Sequence, residues 1–146
     1  MLSYRHSFHA GNFADVLKHL IEVEILDYLG RKDKPYVYID THAAAGLYQL
    51  DSSEAGKNRE YMTGIAPLLD EETKWPELAT YLEAVRACQK LSDRPLYPGS
   101  PWFAMHMMRR DDRAFLFELH PRDFDLLEQL TARDRRIKVR EEDGFA

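Results

Sequence analysis

The sequence predicts an α/β domain built on a parallel sheet, and three observations carry that expectation. An amphipathic helical pattern runs over residues 13–29. An aromatic and β-branched stretch, "YVYI", follows at residues 36–39. Two later stretches, "AFLFELHP" (114–121) and "RIKVREEDGF" (136–145), read as further strands separated by helical patterns. Strands alternating with helices imply parallel pairing through crossover connections.

Taken in order, Asn12 with Asp15 resembles a capping box with Asn in the capping place. Behind it Phe13, Val16, Leu17, Leu20, Ile21, Ile25, Tyr28 and Leu29 recur at spacings of three and four, a wide apolar face that Gly30 terminates. Residues 31–34 form a polar turn, and Pro35 leads into the first strand, which ends in Asp40-Thr41-His42. The run Ala43-Ala44-Ala45-Gly46 buries little area. It suits a sharp turn that lets another group come close.

Pro76 sits at a first helical position, with Leu78, Leu82, Val85 and Cys88 following at helical spacing. Ser100-Pro101 repeats that signal, with Ser100 in the capping role, ahead of Trp102, Phe103 and the methionines from Met105 to Met108. Pro121 opens a last helix with Phe124, Leu127 and Leu130 inward, and the third strand is expected to end in Asp143-Gly144. The whole of 1–146 reads as part of one domain, with a helical insertion at about 50–95.

Composition narrows the function classes. The 146 residues are 45% hydrophobic and 31% charged, ordinary for a globular protein. No apolar run approaches the roughly 20 residues of a membrane span, and no signal-peptide pattern opens the chain, so a cytoplasmic protein is expected. Cys88 stands alone, which excludes an internal disulfide framework. A net charge of −5 argues against a broad nucleic-acid surface, although basic residues gather at both ends: Arg5, His6, His9, Lys18 and His19, then Arg133, Arg135, Arg136, Lys138 and Arg140. His6 and His9 lack a neighbouring acid or cysteine to complete a metal site, so no metal is expected. Taken alone, His19 reads as a helix-surface residue, and Met105, Met107 and Met108 as core filler.

In open parallel sheets, ligands bind beyond the carboxyl ends of the strands. Here those ends carry Asp40 and His42, then Glu118, then Asp143. A carboxylate at Glu118 can accept hydrogen bonds from both hydroxyls of a ribose, and Asp143 can accept from an exocyclic amine of adenine. Together they outline a nucleoside site. A nicotinamide dinucleotide fits poorly, because the first turn has one glycine and lacks the G-x-G-x-x-G pattern.

The opening "MLSYRHSFHAGNFADVLKH", with "DTHAAAG", "YPGSP", "ELHP" and "DGF", resembles the bacterial RlmJ family over essentially all 146 residues. That family methylates adenine N6 in large-subunit (23S) ribosomal RNA and was formerly described as involved in the use of external DNA. The resemblance implies a class I, Rossmann-like fold that uses S-adenosylmethionine. It implies a cofactor pocket lined by His19, His42, Ser100, Glu118, Asp143 and Gly144, with Tyr4 over the reacting centre against the substrate adenine. It also implies ribosomal RNA, protein-free or in assembling large subunits, as the partner, no membrane, and a monomeric full-length enzyme.

There are two departures from the family pattern. Ala44 stands where the family tends to have a second glycine, a change expected to be tolerated because alanine is the smallest alternative, at some risk to cofactor affinity. The D-P-P-Y motif that holds the target adenine is missing, and no Pro-Pro dipeptide occurs. The chain is therefore expected to be truncated after the third strand, to be inactive alone, and to self-associate through the exposed edge of the first strand. The alternatives are a DNA adenine-N6 methyltransferase and a non-catalytic module that binds nucleic acid or a partner; cofactor binding separates the enzymes from the module.

Overall fold

A computed structural model describes residues 5–146. Helix α1 spans Phe13–Gly30, and the Asn12 side chain caps it by accepting from the Asp15 backbone N–H, 2.9 Å away, a contact that stabilises a helix start by about 1 kcal/mol. The other half of the expected capping box is absent. Asp15 turns instead to the Gly11 backbone N–H and the His6 ring. The inward face also differs from expectation. The buried residues of α1 are Asp15, His19, Val23 and Leu26, while Phe13, Leu17, Ile21, Ile25 and Tyr28 are all more than half exposed.

Strands β1 (Val37–Asp40), β4 (Arg113–Phe117) and β5 (Ile137–Arg140) form a parallel sheet in the order β1-β4-β5. The register pairs Asp40 with Leu116 and Phe117 with Arg140, so all three carboxyl ends lie along one edge. Tyr38, Ala114, Leu116, Ile137 and Val139 face the helices and pack with Ala43, Met108 and Leu127. On the opposite face Val37 and Ile39 of β1 and Lys138 and Arg140 of β5 stand exposed. Among the described residues β1 pairs with β4 alone, so "YVYID" is an edge strand, as expected. The third strand is shorter than expected: it stops at Arg140, before Asp143.

A second sheet was not expected. Strands β2 (Leu47–Gln49) and β3 (Leu96–Pro98) pair antiparallel, Tyr48 opposite Tyr97, and close the base of the helical segment between them. That segment holds α2 (Ser53–Asn58), α3 (Ile65–Asp70), α4 (Ala79–Gln89) and three short 3₁₀ turns. Its side chains share the main core: Ile65, Tyr81, Val85 and Cys88 pack with Val23 of α1, with Tyr97, and with Trp102 and Phe103 of α5 (Ser100–Met107). Helix α6 (Pro121–Thr131) connects β4 to β5 and buries Leu127. At the amino end of the sheet, buried Asp112 accepts from the Tyr36 and Arg109 backbone N–H groups. The Arg109 guanidinium donates to the carbonyls of Gly30, Lys32 and Lys34, which pins the α1–β1 loop.

The small-residue run after β1 now has a geometric reason. Ala43 and Ala45 are buried, Ala44 has φ 54° and Gly46 has φ 81°. A Cβ on Gly46 would lie 2.8 Å from Leu130 Cδ2, so α6 packs directly on the turn. The left-handed region costs an alanine about 1–2 kcal/mol. Ala44→Gly is expected to relieve that cost, less the roughly 0.4–1 kcal/mol by which glycine loosens the unfolded chain, for a net gain of about 0.5–1 kcal/mol. Urea unfolding of the two proteins measures the difference, and an unchanged or lowered midpoint would refute the strain.

Candidate functional site

The carboxyl edge of the sheet opens into a cavity of about 570 Å³. Its walls are the loop after β1, the turn between β4 and α6, the segment after β5, the start of α5 and the first turns of α1. His19, His42, Ser100, Glu118, Asp143 and Gly144 all line it. Tyr4 lies outside the described residues.

Glu118 immediately follows β4 and is held firmly. One carboxylate oxygen accepts from the Ala44 N–H at 2.6 Å, and the other from the Leu119 and His120 N–H groups at 3.0 and 3.1 Å. One acid thereby joins two loops. Asp40, at the end of β1, organises a third connection. Its Oδ2 accepts from the hydroxyls of Tyr38 and Ser100, and its Oδ1 accepts from the His42 N–H. Ser100 is therefore not the cap of α5: Gly99 occupies that place, and the Ser100 hydroxyl donates to Asp40 at 2.5 Å.

His42 is exposed, its Nδ1 lies 2.9 Å from the Thr41 hydroxyl, and its ring meets the Phe145 ring edge-on at 4.9 Å. Asp143 accepts from the Phe145 N–H, which folds the segment after β5 into a turn. Gly144 packs so tightly on the β1 loop that a Cβ would sit 2.5 Å from the Thr41 carbonyl oxygen. The three loops thus interlock through backbone and small side chains.

His19 is buried, and its Nδ1 lies 2.8 Å from the Tyr97 hydroxyl, which in turn lies 2.8 Å from the Tyr81 hydroxyl. Burial, opposed by Asp15 and helped by nearby Lys18 and His6, depresses its pKa to about 3. The imidazole is therefore neutral at physiological pH. One turn earlier, burial favours the neutral acid at Asp15, but hydrogen bonds and charge from His6 outweigh it and hold the carboxyl below the usual range.

Sequence reasoning missed Asp15 as part of this wall, although its place in the capping pattern marked it as a structured position. Glu22, which does not line the cavity, was missed as well; both its carboxyl oxygens are buried, with Tyr38 and Asp40 nearby. Burial, with Asp40 nearby, pushes Glu22 well above the ordinary range. Asp123 and His120 line the same cavity. Asp123 is ion-paired to Arg5 at 2.9 Å, and Arg5 also reaches Glu54 at 2.6 Å. Among the described residues no group of three His, Cys, Asp or Glu side chains converges as a metal site would require, and no helix is long and apolar enough to cross a membrane.

Residues 33–146 match the family model described as RsmJ: Ribosomal RNA large subunit methyltransferase D, RlmJ. The chain belongs to this family. It is 46% identical over 145 residues to ribosomal RNA large subunit methyltransferase J of Escherichia coli K12, covering 99% of this chain and 52% of that protein. To the protein of the same name from Haemophilus influenzae it is 42% identical over 149 residues, with the same coverage of each. A crystal structure of a Legionella pneumophila protein superposes with a TM-score of 0.82 at 36% identity, over 93% of this chain and 50% of that one. The chain spans about half the length of the curated relatives it matches.

Two outcomes follow from the site's packing and charge. Gly144→Ala is expected to force the β1 loop and the segment after β5 apart and to destabilise by roughly 1–3 kcal/mol, the usual cost of overpacking; a thermal midpoint equal to that of the parent chain would refute the contact. The second concerns acid. Folded His19 refuses the proton that the unfolded chain takes up near pH 6.5, so its contribution to stability is complete above pH 6.5 and declines as pH falls toward about 3. The limiting slope is about 1.4 kcal/mol per pH unit. Urea unfolding across that window should show a shallower acid decline for His19→Gln than for the parent chain, and equal slopes would exclude a buried neutral His19.

Proposed function

We propose that this chain forms the S-adenosylmethionine-binding part of an enzyme that methylates adenine N6 in large-subunit ribosomal RNA. The observation that carries the reading is the meeting of His19, His42, Ser100, Glu118, Asp143 and Gly144 in one cavity at the carboxyl ends of three parallel strands. Family membership and the names of the two methyltransferase relatives support it.

The residues suit the cofactor. The cavity falls within the roughly 300–1,000 Å³ of small-molecule sites. Glu118, fixed by three backbone N–H groups, keeps spare acceptor capacity for the ribose hydroxyls. Asp143 is suited to the adenine amine, and its turn with Gly144 and Phe145 forms that end of the wall. His19, Lys18 and His42 serve the amino-acid end. When bound, S-adenosylmethionine supplies an electrophilic methyl group on a sulfonium, and the work of this chain is to hold and orient it. No catalytic residue is proposed within these residues. The RNA would be bare or assembling large-subunit RNA, and the setting cytoplasmic, with Tyr4 against the target base.

Calorimetric titration of the chain with S-adenosylhomocysteine tests the cofactor reading. Glu118→Gln keeps the side chain's length while weakening its charge-assisted bonds, and should reduce affinity roughly ten- to a hundredfold. Circular dichroism of the variant checks that the loops it joins remain folded. Unchanged affinity would overturn the assignment of Glu118. The substrate is tested separately: mass spectrometry of 23S ribosomal RNA should show an N6-methyladenine that disappears when the gene is deleted.

A further inference from the structure

The chain of hydrogen bonds behind His19 decides which of its ring nitrogens carries the proton. His19 is 1% exposed, and Tyr81 and Tyr97 are fully buried. Three hydrogens have to be shared along this line: one on the neutral imidazole and one on each hydroxyl. Suppose first that the imidazole proton sits on Nδ1. It then donates to the Tyr97 oxygen, Tyr97 donates to Tyr81, and the Tyr81 hydroxyl is left to donate to nothing. Tyr81 makes no other hydrogen bond among the described residues. Suppose instead that the proton sits on Nε2. Tyr81 then donates to Tyr97, Tyr97 donates to His19 Nδ1, and every buried hydroxyl proton has an acceptor. Leaving a buried donor unmet is costly enough to bias the two tautomers by on the order of ten- to a hundredfold.

We propose that Tyr97 is a positioning residue that fixes His19 as its Nε2–H tautomer, so that His19 meets the ligand as a neutral hydrogen-bond donor. Nδ1 is occupied by Tyr97, and His19 lines the cavity, which leaves Nε2 as the ring nitrogen for the ligand. A donor selects an acceptor. The neighbouring wall strengthens that preference, because Lys18 lines the same end. The acids there are engaged elsewhere: Asp15 with His6 and Gly11, and Asp123 with Arg5. The ligand group that His19 takes is therefore a carboxylate, at the amino-acid end of S-adenosylmethionine, and this assignment rests on the cofactor reading above. Tyr81 has a different role. With Phe in its place, the Tyr97 proton still finds its best acceptor in Nδ1, so the tautomer is retained.

Long-range proton–nitrogen correlation spectra of the ¹⁵N-histidine-labelled chain, without ligand, read the tautomer directly, with His19 assigned by its loss in His19→Gln. The parent chain and Tyr81→Phe should both show Nε2–H. Tyr97→Phe should show a mixture of tautomers. Tyr81→Phe removes a buried hydroxyl from the same line and so controls for loss of packing. Nδ1–H in the parent chain, or an unchanged spectrum in Tyr97→Phe, would overturn the proposal. Calorimetry then compares S-adenosylhomocysteine with its decarboxylated analogue. The parent chain and Tyr81→Phe should prefer the carboxylate form by about tenfold or more, and Tyr97→Phe should lose most of that preference. Equal preference in the parent chain and Tyr97→Phe would overturn the carboxylate assignment. Failure of every chain to bind S-adenosylhomocysteine, with Nε2–H still observed, would refute the cofactor reading and the carboxylate with it, but not the tautomer.

Discussion

The carboxylate of Glu118 is the interaction on which the site depends. It stands one residue past the central strand and accepts backbone N–H groups from the loop after β1 and from the turn into α6. Loop N–H groups at a sheet edge need acceptors, and water is the usual one. Here an acid replaces water and converts two independent loops into one wall. A hydrogen bond from Ala43 to the Phe117 carbonyl extends the β1–β4 ladder to the same point.

Asp40 does the corresponding work one strand over. By accepting from Ser100 it ties the end of β1 to the start of α5, and by accepting from the His42 N–H it starts the turn that the small residues complete. A carboxylate that accepts several hydrogen bonds holds the groups that donate to it in place. The site is thus rigid where its loops are anchored, while His42 and Asp143 remain accessible at its mouth. Glu22 differs from Glu118 and Asp40: it is a buried acid near Asp40, and burial pushes it well above the ordinary carboxylate range.

Helix α1 serves two ends at once. Its inward stripe carries Asp15 and His19 into the cavity wall, where burial makes the imidazole neutral and a pair of tyrosines receives it. These tyrosines come from α4 and β3, so the helical segment of residues 50–95, with β3 behind it, reaches the site through its core. The other long stripe of α1, from Phe13 to Tyr28, is exposed.

Much of this was legible in the residues alone. The α/β order, the cap at Asn12 and the grouping of His42, Glu118 and Asp143 at one sheet edge follow from periodicity, capping chemistry and the geometry of parallel strands, while the edge position of β1 followed from the family resemblance. The inward face of α1 was not legible, because apolar residues occupy both sides of that helix and periodicity cannot rank two apolar faces. Nor were β2 and β3, whose three residues each are too few to show alternation. Ser100 read as a helix cap, since a serine before proline has that signature; only the approach of Asp40 diverts its hydroxyl. The sequence by itself determined which chemical groups were available and which strand ends would present them. Tertiary structure decided how His19, Asp15 and Ser100 are used, because burial and hydrogen-bond partners from distant segments set a side chain's charge and donor role, and those partners become neighbours only when the chain folds.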